Sequence, residues 1–239
     1  MMMAEQVLVI GGTSGMGEAT SRVLAEEGFR VILTGRTPEK VQKSVSALHS
    51  PAIGGHLLDF TSDDSVRELF SRLETVDHLV LVGSGAPRRG RLEEVTVEDA
   101  RLGWEEKFLG YLRCVQAALP HWSRTGSLTV VSGGAARAAI PGTSLVAAVN
   151  GALQTWALTL AKELAPRRVN VVSPGIIDTP LHGWLEPQVR DARFAAIAAS
   201  LPVGRMGTPT DVAQAIVSLV QNSFITGAVL DVDGGIRLK

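Results

Sequence analysis

A chain of 239 residues has room for one large domain or two small ones, and 45% hydrophobic against 20% charged residues is the balance of a globular protein with a substantial core. With 23 Lys and Arg against 24 Asp and Glu, general attraction to nucleic acid or anionic membrane is excluded, so any anion site must be local. Cys114 is the single cysteine: no intrachain disulfide forms, and a cytoplasmic setting with an inert buried thiol is expected.

The first apolar run, Val7–Ile10, ends at Gly11, too short for a signal peptide or a membrane span. It reads instead as a strand. Further strand-like runs follow at Arg30–Thr34, Ile53–Leu58, His78–Val82, Ser127–Val131, Val169–Val172 and Ala228–Val232. They are close to continuously apolar, the pattern of strands buried on both faces. Helical patterns fill the gaps. Gly28 stops the first, Thr37-Pro38 opens the second, Ser62 with Asp63 and Asp64 opens the third, and Thr96 caps a long fourth. Another runs roughly from Ser144 to Ala165 and is ended by Pro166. This alternation predicts a doubly wound (Rossmann) α/β fold, a parallel seven-stranded sheet with helices on both faces. No linker, charge block or repeat divides it, so residues 1–239 read as one domain.

Val7–Ile10 leads directly into Gly11-Gly12-Thr13-Ser14-Gly15-Met16-Gly17, and a helix follows. Glycines here make the tight turn, let backbone approach a pyrophosphate and let the helix pack close to the strand. The helix N-terminus then presents unpaired N–H groups to phosphate. The spacing Gly11-x-x-x-Gly15-x-Gly17 resembles the short-chain dehydrogenase/reductase family, and the likeness continues along nearly the whole chain. Leu57-Leu58-Asp59, Val76-Asp77-His78-Leu79-Val80, Leu160–Leu164, Val169-Asn170, Ser173-Pro174-Gly175, Thr179, Ile225-Thr226-Gly227 and Asp233-Gly234-Gly235 follow in family order.

The dinucleotide is expected to be NADP(H). An acidic residue about 20 positions past the glycines binds the ribose 2′-hydroxyl of NAD. Here the second strand ends Thr34-Gly35-Arg36, with glycine in the acidic place. A guanidinium there can pair bidentately with a 2′-phosphate; the plainer alternative is a solvated arginine before the Thr37 cap. The resemblance implies that Asp59 contacts adenine and Thr179 the nicotinamide carboxamide; helix capping and turn chemistry are the plainer alternatives. It further implies a cofactor site made by Gly11, Thr13, Ser14, Gly15, Met16, Gly17, Arg36, Asp59, Gly83, Pro174, Gly175, Ile177 and Thr179, with no metal.

The family's catalytic set is missing. The resemblance implies a tyrosine acid, a lysine four residues later, a serine that polarises the carbonyl and an asparagine on the preceding helix. Tyr111 is the only tyrosine and is followed four residues on by Val115, so no Tyr-x-x-x-Lys exists in this chain. The tyrosine place falls on Val146, the lysine place on Asn150, the serine place on Gly133 beside Ser132, and the asparagine place on Lys107. The family's Asn-Asn-Ala-Gly is replaced by Leu81-Val82-Gly83-Ser84.

Lysine and asparagine have thus exchanged places. Lys107, Asn150 and Ser132 are the candidate catalytic residues, with Lys107 a cation or, at depressed pKa, the proton donor. Glu105-Glu106-Lys107 could instead be a solvated charge cluster, and the Ser132 hydroxyl could simply satisfy local backbone. Tyr111 lies one turn beyond Lys107 and could share its face or pack in the core. His182 could act as an acid, and Arg88 and Arg89 could bind an anionic substrate; each could also face water. A substrate lid at about 180–206, with Trp184, Leu185, Phe194, Ile197 and Leu201, suggests an apolar or aromatic carbonyl or alcohol.

The expected function is NADP(H)-dependent hydride transfer between carbonyl and hydroxyl with a substituted proton donor. A nucleotide-binding sensor or scaffold, and a non-redox isomerase or lyase using the same pocket, stand beside it. The resemblance implies a homodimer or homotetramer.

Overall fold

The computed structural model describes residues 4–83, 89–180 and 186–238. Seven parallel strands, β1 (Gln6–Ile10), β2 (Arg30–Gly35), β3 (Ile53–Leu57), β4 (Val76–Leu81), β5 (Trp122–Val131), β6 (Arg168–Pro174) and β7 (Val229–Val232), form one sheet in the order β3-β2-β1-β4-β5-β6-β7. The helices are α1 (Gly15–Glu26), α2 (Pro38–Leu48), α3 (Asp63–Ser71), α4 (Val97–Gly103), α5 (Gly110–Ala118), α6 (Ala135–Ala138), α7 (Ser144–Glu163), α8 (Pro187–Ser200) and α9 (Pro209–Gln221).

Strand alternation sorts side chains to the two faces. Leu8, Ile10, Leu79, Leu81, Leu128 and Val130 pack under α3, α5 and α7 through Phe70, Cys114 and Leu153. Val7, Val9, Val31, Leu33 and Val80 pack under α1, α2 and α9 through Leu24, Val41 and Ile216. The expected burial of every strand on both faces fails at the sheet's edges. In β3 the sequence Ile-Gly-Gly-His-Leu leaves Leu57 exposed, and β7 leaves Leu230 exposed, because an edge strand lacks one neighbour and part of its helix cover.

The helix punctuation holds. Thr37 accepts from the Lys40 N–H with Pro38 in the first turn, Ser62 accepts from the Ser65 N–H, and Gly28 takes φ +90° after α1. Thr96 forms a reciprocal capping box with Asp99. The long fourth helix is not uniform: between α4 and α5 it winds as a π-helix over Trp104–Leu109, a widened turn that carries Lys107.

Order reverses between β1 and β4, so the chain leaves those strands in opposite directions and opens a crevice at their carboxyl ends. That crevice holds the candidate site.

Candidate functional site

Gly11 takes φ +86° and Gly15 φ +52°, backbone that a side chain would strain. The turn is tied to β2, where Gly12 N–H donates to the Thr34 carbonyl at 3.0 Å and Gly11 N–H to its hydroxyl at 3.2 Å. The Ser44 hydroxyl of α2 holds the Thr13 carbonyl at 3.1 Å. Contact with α1 is so close that a Cβ on Gly17 would lie 2.0 Å from the Gly11 carbonyl oxygen. Above the turn is a cavity of about 520 Å³.

Ten of the expected residues line that cavity: Gly11, Thr13, Ser14, Gly15, Met16, Gly17, Arg36, Asp59, Gly83 and Thr179. Three do not. The Pro174 carbonyl accepts from Gly134 N–H, Gly175 packs on Asp233, and Ile177 is buried beside a second, smaller cavity. Sequence order alone could not separate a loop's core side from its open side.

Lys40 also lines the main cavity and was missed. A cation in the first turn of a helix runs against the helix dipole, and that mismatch was the available signal. Gly35 is explained by packing: a Cβ there would lie 2.5 Å from Thr13 Cγ2 and 3.2 Å from Val41 Cγ2. Asp59 accepts from both the N–H and the hydroxyl of Thr61, which holds its carboxyl below the usual carboxylate range, with Arg36 adding a weaker pull.

Lys107 is not part of a solvated cluster. Its ammonium donates to Asn150 Oδ1 at 2.7 Å and to the Ser132 carbonyl at 2.9 Å, and both acceptors belong to buried residues. Burial pushes its pKa down to about 8. Gly133 makes this possible, since a Cβ there would meet Asn150 Nδ2 at 2.8 Å.

The Ser132 hydroxyl departs from expectation. It accepts from Gln154 Nε2 at 3.1 Å and points at the Val172 carbonyl at 3.4 Å, turned into the interior. A buried hydroxyl at a strand end is satisfied by its nearest polar groups, so Ser132 contributes its carbonyl, to Lys107. Tyr111 is a core residue whose hydroxyl donates to the Gly83 carbonyl at 2.6 Å. The Cys114 thiol is buried and its pKa pushed up to about 12, consistent with an inert thiol.

Arg89 is exposed, Phe194 and Ile197 sit half-buried on α8, and Leu201 is core. Ser84, Arg88, His182, Trp184 and Leu185 lie outside the described residues.

A family model described as enoyl-(acyl carrier protein) reductase matches residues 11–237. The chain is 30% identical to the short-chain dehydrogenase/reductase ATR9 of Stachybotrys chlorohalonatus, over 98% of each chain. The chain belongs to the short-chain dehydrogenase/reductase family. It is also 32% identical to carbonyl reductase family member 4 of Danio rerio, over 99% of each. A solved small-chain dehydrogenase in complex with NADPH is similar at TM-score 0.82 and 32% identity, covering 99% of this chain and 100% of that one. Short-chain dehydrogenase/reductases are oxidoreductases that bind a nicotinamide cofactor, and this dehydrogenase/reductase has the seven-stranded parallel sheet of that fold.

Proposed function

We propose that this short-chain dehydrogenase/reductase is an NADP(H)-dependent oxidoreductase acting on a carbonyl or hydroxyl group of a small molecule, with Lys107 replacing the family's tyrosine as proton donor. One observation carries the cofactor reading: Arg36 and Lys40 line the same cavity as the Gly11–Gly17 turn, while Gly35 stands where an acidic residue would select NAD. The residues fit such a group. A Cβ would fill the turn at Gly11 and Gly17, and Arg36, just past β2, with Lys40, in the first turn of α2, would offer two cations to a 2′-phosphate.

Reduction of a carbonyl needs a hydride at carbon and a proton at oxygen. The reduced nicotinamide, when bound, supplies the hydride. Lys107 supplies the proton and recovers one from water. An ammonium has three N–H donors, and Asn150 Oδ1 and the Ser132 carbonyl occupy two. Among the described residues no third acceptor meets it, and the proposed reaction assigns that donor to the substrate oxygen, reached from beside Glu105 and Glu106 of the cavity wall. A pKa near 8 keeps the group mostly charged at neutral pH yet lets it release its proton. Asn150, held by Lys107 and given room by Gly133, keeps that ammonium from swinging away.

A second reading, nucleotide binding without turnover, draws on the Ser132 hydroxyl being committed to Gln154 and Val172, away from any substrate carbonyl. Incubation with NADPH and a panel of carbonyl compounds separates the two, following cofactor absorbance and product mass together. Oxidation of NADPH with matching alcohol, lost in Lys107→Ala, supports the reductase. Binding with neither signal supports the sensor, and product with unchanged cofactor absorbance supports an isomerase or lyase.

A further inference from the structure

Tyr111, the chain's only tyrosine, is fully buried on α5, so the residue type that the family uses as acid has no access to a substrate here. Its hydroxyl is engaged elsewhere, donating to the Gly83 carbonyl at 2.6 Å. Gly83 is the point where the chain leaves β4 beside the glycine turn. Its N–H donates to the Ile10 carbonyl at 2.8 Å, and a Cβ on Gly11 would lie 2.3 Å from its Cα. These two backbones are in contact with no slack. Phe60 closes the third side: a Cβ on Gly83 would lie 2.9 Å from the Phe60 ring, which packs edge-on against Tyr111 at 6.3 Å. Gly11, Gly83 and Phe60 line the large cavity, and Tyr111 stands behind them. Burial holds the phenol far above its usual pKa, so it remains a neutral donor at every ordinary pH.

We infer that Tyr111 is a positioning residue, whose hydroxyl pins the Gly83 carbonyl and so fixes one lip of the nucleotide cavity against the glycine turn. The inference rests on the nucleotide-binding reading proposed above. A partly buried carbonyl that loses its donor seeks another, and any movement of Gly83 is passed to Gly11 because the two backbones touch. Affinity for the dinucleotide is then set in part by a hydroxyl that never meets it.

The test compares Tyr111→Phe, which removes only the hydroxyl, with Val115→Ala, which removes core volume from the same helix and leaves the Tyr111–Gly83 bond intact. NADPH affinity is read by titration calorimetry on the intact chain, and melting temperature is read without ligand. Tyr111→Phe is expected to weaken NADPH by up to about tenfold, the size of one lost hydrogen bond. Val115→Ala should leave affinity within about twofold while melting lower. Wild-type affinity in Tyr111→Phe overturns the inference, as does equal weakening in Val115→Ala at matched loss of melting temperature.

Should Tyr111→Phe fail to fold, biosynthetic 3-fluorotyrosine places one fluorine NMR signal at this site, because the chain has one tyrosine. That signal should shift on saturation with NADPH, and an unmoved signal overturns the inference. Wild-type protein that binds no nucleotide defeats the underlying reading, a different outcome from wild type and Tyr111→Phe binding equally well.

Discussion

The Lys107 ammonium lies 2.7 Å from the amide oxygen of Asn150, so a cation on the π-helical turn and an amide on α7 hold each other across the carboxyl end of β5. The pair is closed from below by the Ser132 carbonyl at 2.9 Å. A group that must give up a proton has to be charged before the step, and burial places the Lys107 pKa at about 8. Reductive kcat/KM should therefore be flat below pH 8 and fall about tenfold per pH unit above it. In Lys107→Met the rate should drop by about 10² to 10⁴ and this limb should disappear. A pH profile of NADPH oxidation for both proteins checks it.

The same shift predicts how stability responds to pH. The Lys107 pKa is about 8 when folded against 10.5 unperturbed, so between those values the unfolded chain binds more protons. Unfolding free energy should rise as pH rises through this window, and the lysine's contribution should be least favourable below pH 8. Urea titrations at both ends of the window, wild type against Lys107→Met, isolate the effect. The variant should gain relative to wild type at the lower pH and lose that advantage at the higher.

What was legible in the sequence was local. Thr37, Ser62 and Thr96 cap their helices from within a few residues, and the glycine turn declares itself by following a strand and opening a helix. The exchange of lysine and asparagine was also readable, because it needs only the two helices to keep their register. What escaped depends on side-chain direction across the fold. Ser132 stands just past the end of β5, yet Gln154, 22 residues away, takes its hydroxyl inward. Ile177 belongs to the expected loop but faces the core, and Lys40 reaches the cavity from α2. The widened turn at Trp104–Leu109 escaped because one added residue shifts the phase of the apolar stripe by about 100°, a single-position change within the ordinary irregularity of a helical pattern.

Gly133 should behave as a partner of Asn150. A Cβ at Gly133 would press on Asn150 Nδ2 at 2.8 Å and Cγ at 3.4 Å. Gly133→Ser is therefore expected to push the amide aside and release the ammonium, lowering kcat about tenfold with little change in NADPH affinity. Asn150→Ala should produce a similar loss by removing the acceptor. Because both act through one contact, the double variant should lose little more than either single one. A kinetic double-mutant cycle measures this, and additive losses would contradict the coupling.

Arg36 should govern the choice between dinucleotides. It stands at the end of β2 beside Gly35, on the wall shared with the glycine turn. A charge-assisted bond to phosphate is worth about 1.5–3 kcal/mol. Arg36→Ala should thus weaken NADPH about ten- to hundredfold and leave NADH affinity nearly unchanged. Lys40→Ala should weaken NADPH less, since an ammonium lacks the planar fork of arginine. Calorimetry with both nucleotides at two salt concentrations tests the assignment: the wild-type preference for NADPH should shrink as salt rises, and Arg36→Ala should show little preference left to lose.

Gly17 provides the sharpest steric prediction. A Cβ there would lie 2.0 Å from the Gly11 carbonyl oxygen and 3.1 Å from Gly12 Cα, both backbone atoms of a turn already bonded to Thr34. Neither side has a flexible end that can yield, so Gly17→Ala must lift α1 from the turn. Overpacking of this kind costs about 1–3 kcal/mol, and the displaced helix N-terminus would no longer face the cavity. The variant should melt several degrees lower and bind NADPH too weakly to measure by calorimetry. Gly54→Ala is the contrasting case. On the edge strand β3 a Cβ meets nothing within 4 Å, and losing a glycine reduces the freedom of the unfolded chain. That variant should melt no lower than wild type and bind NADPH with unchanged affinity. Equal behaviour of the two would mean that the close approach of Gly17 to Gly11 does not shape the site.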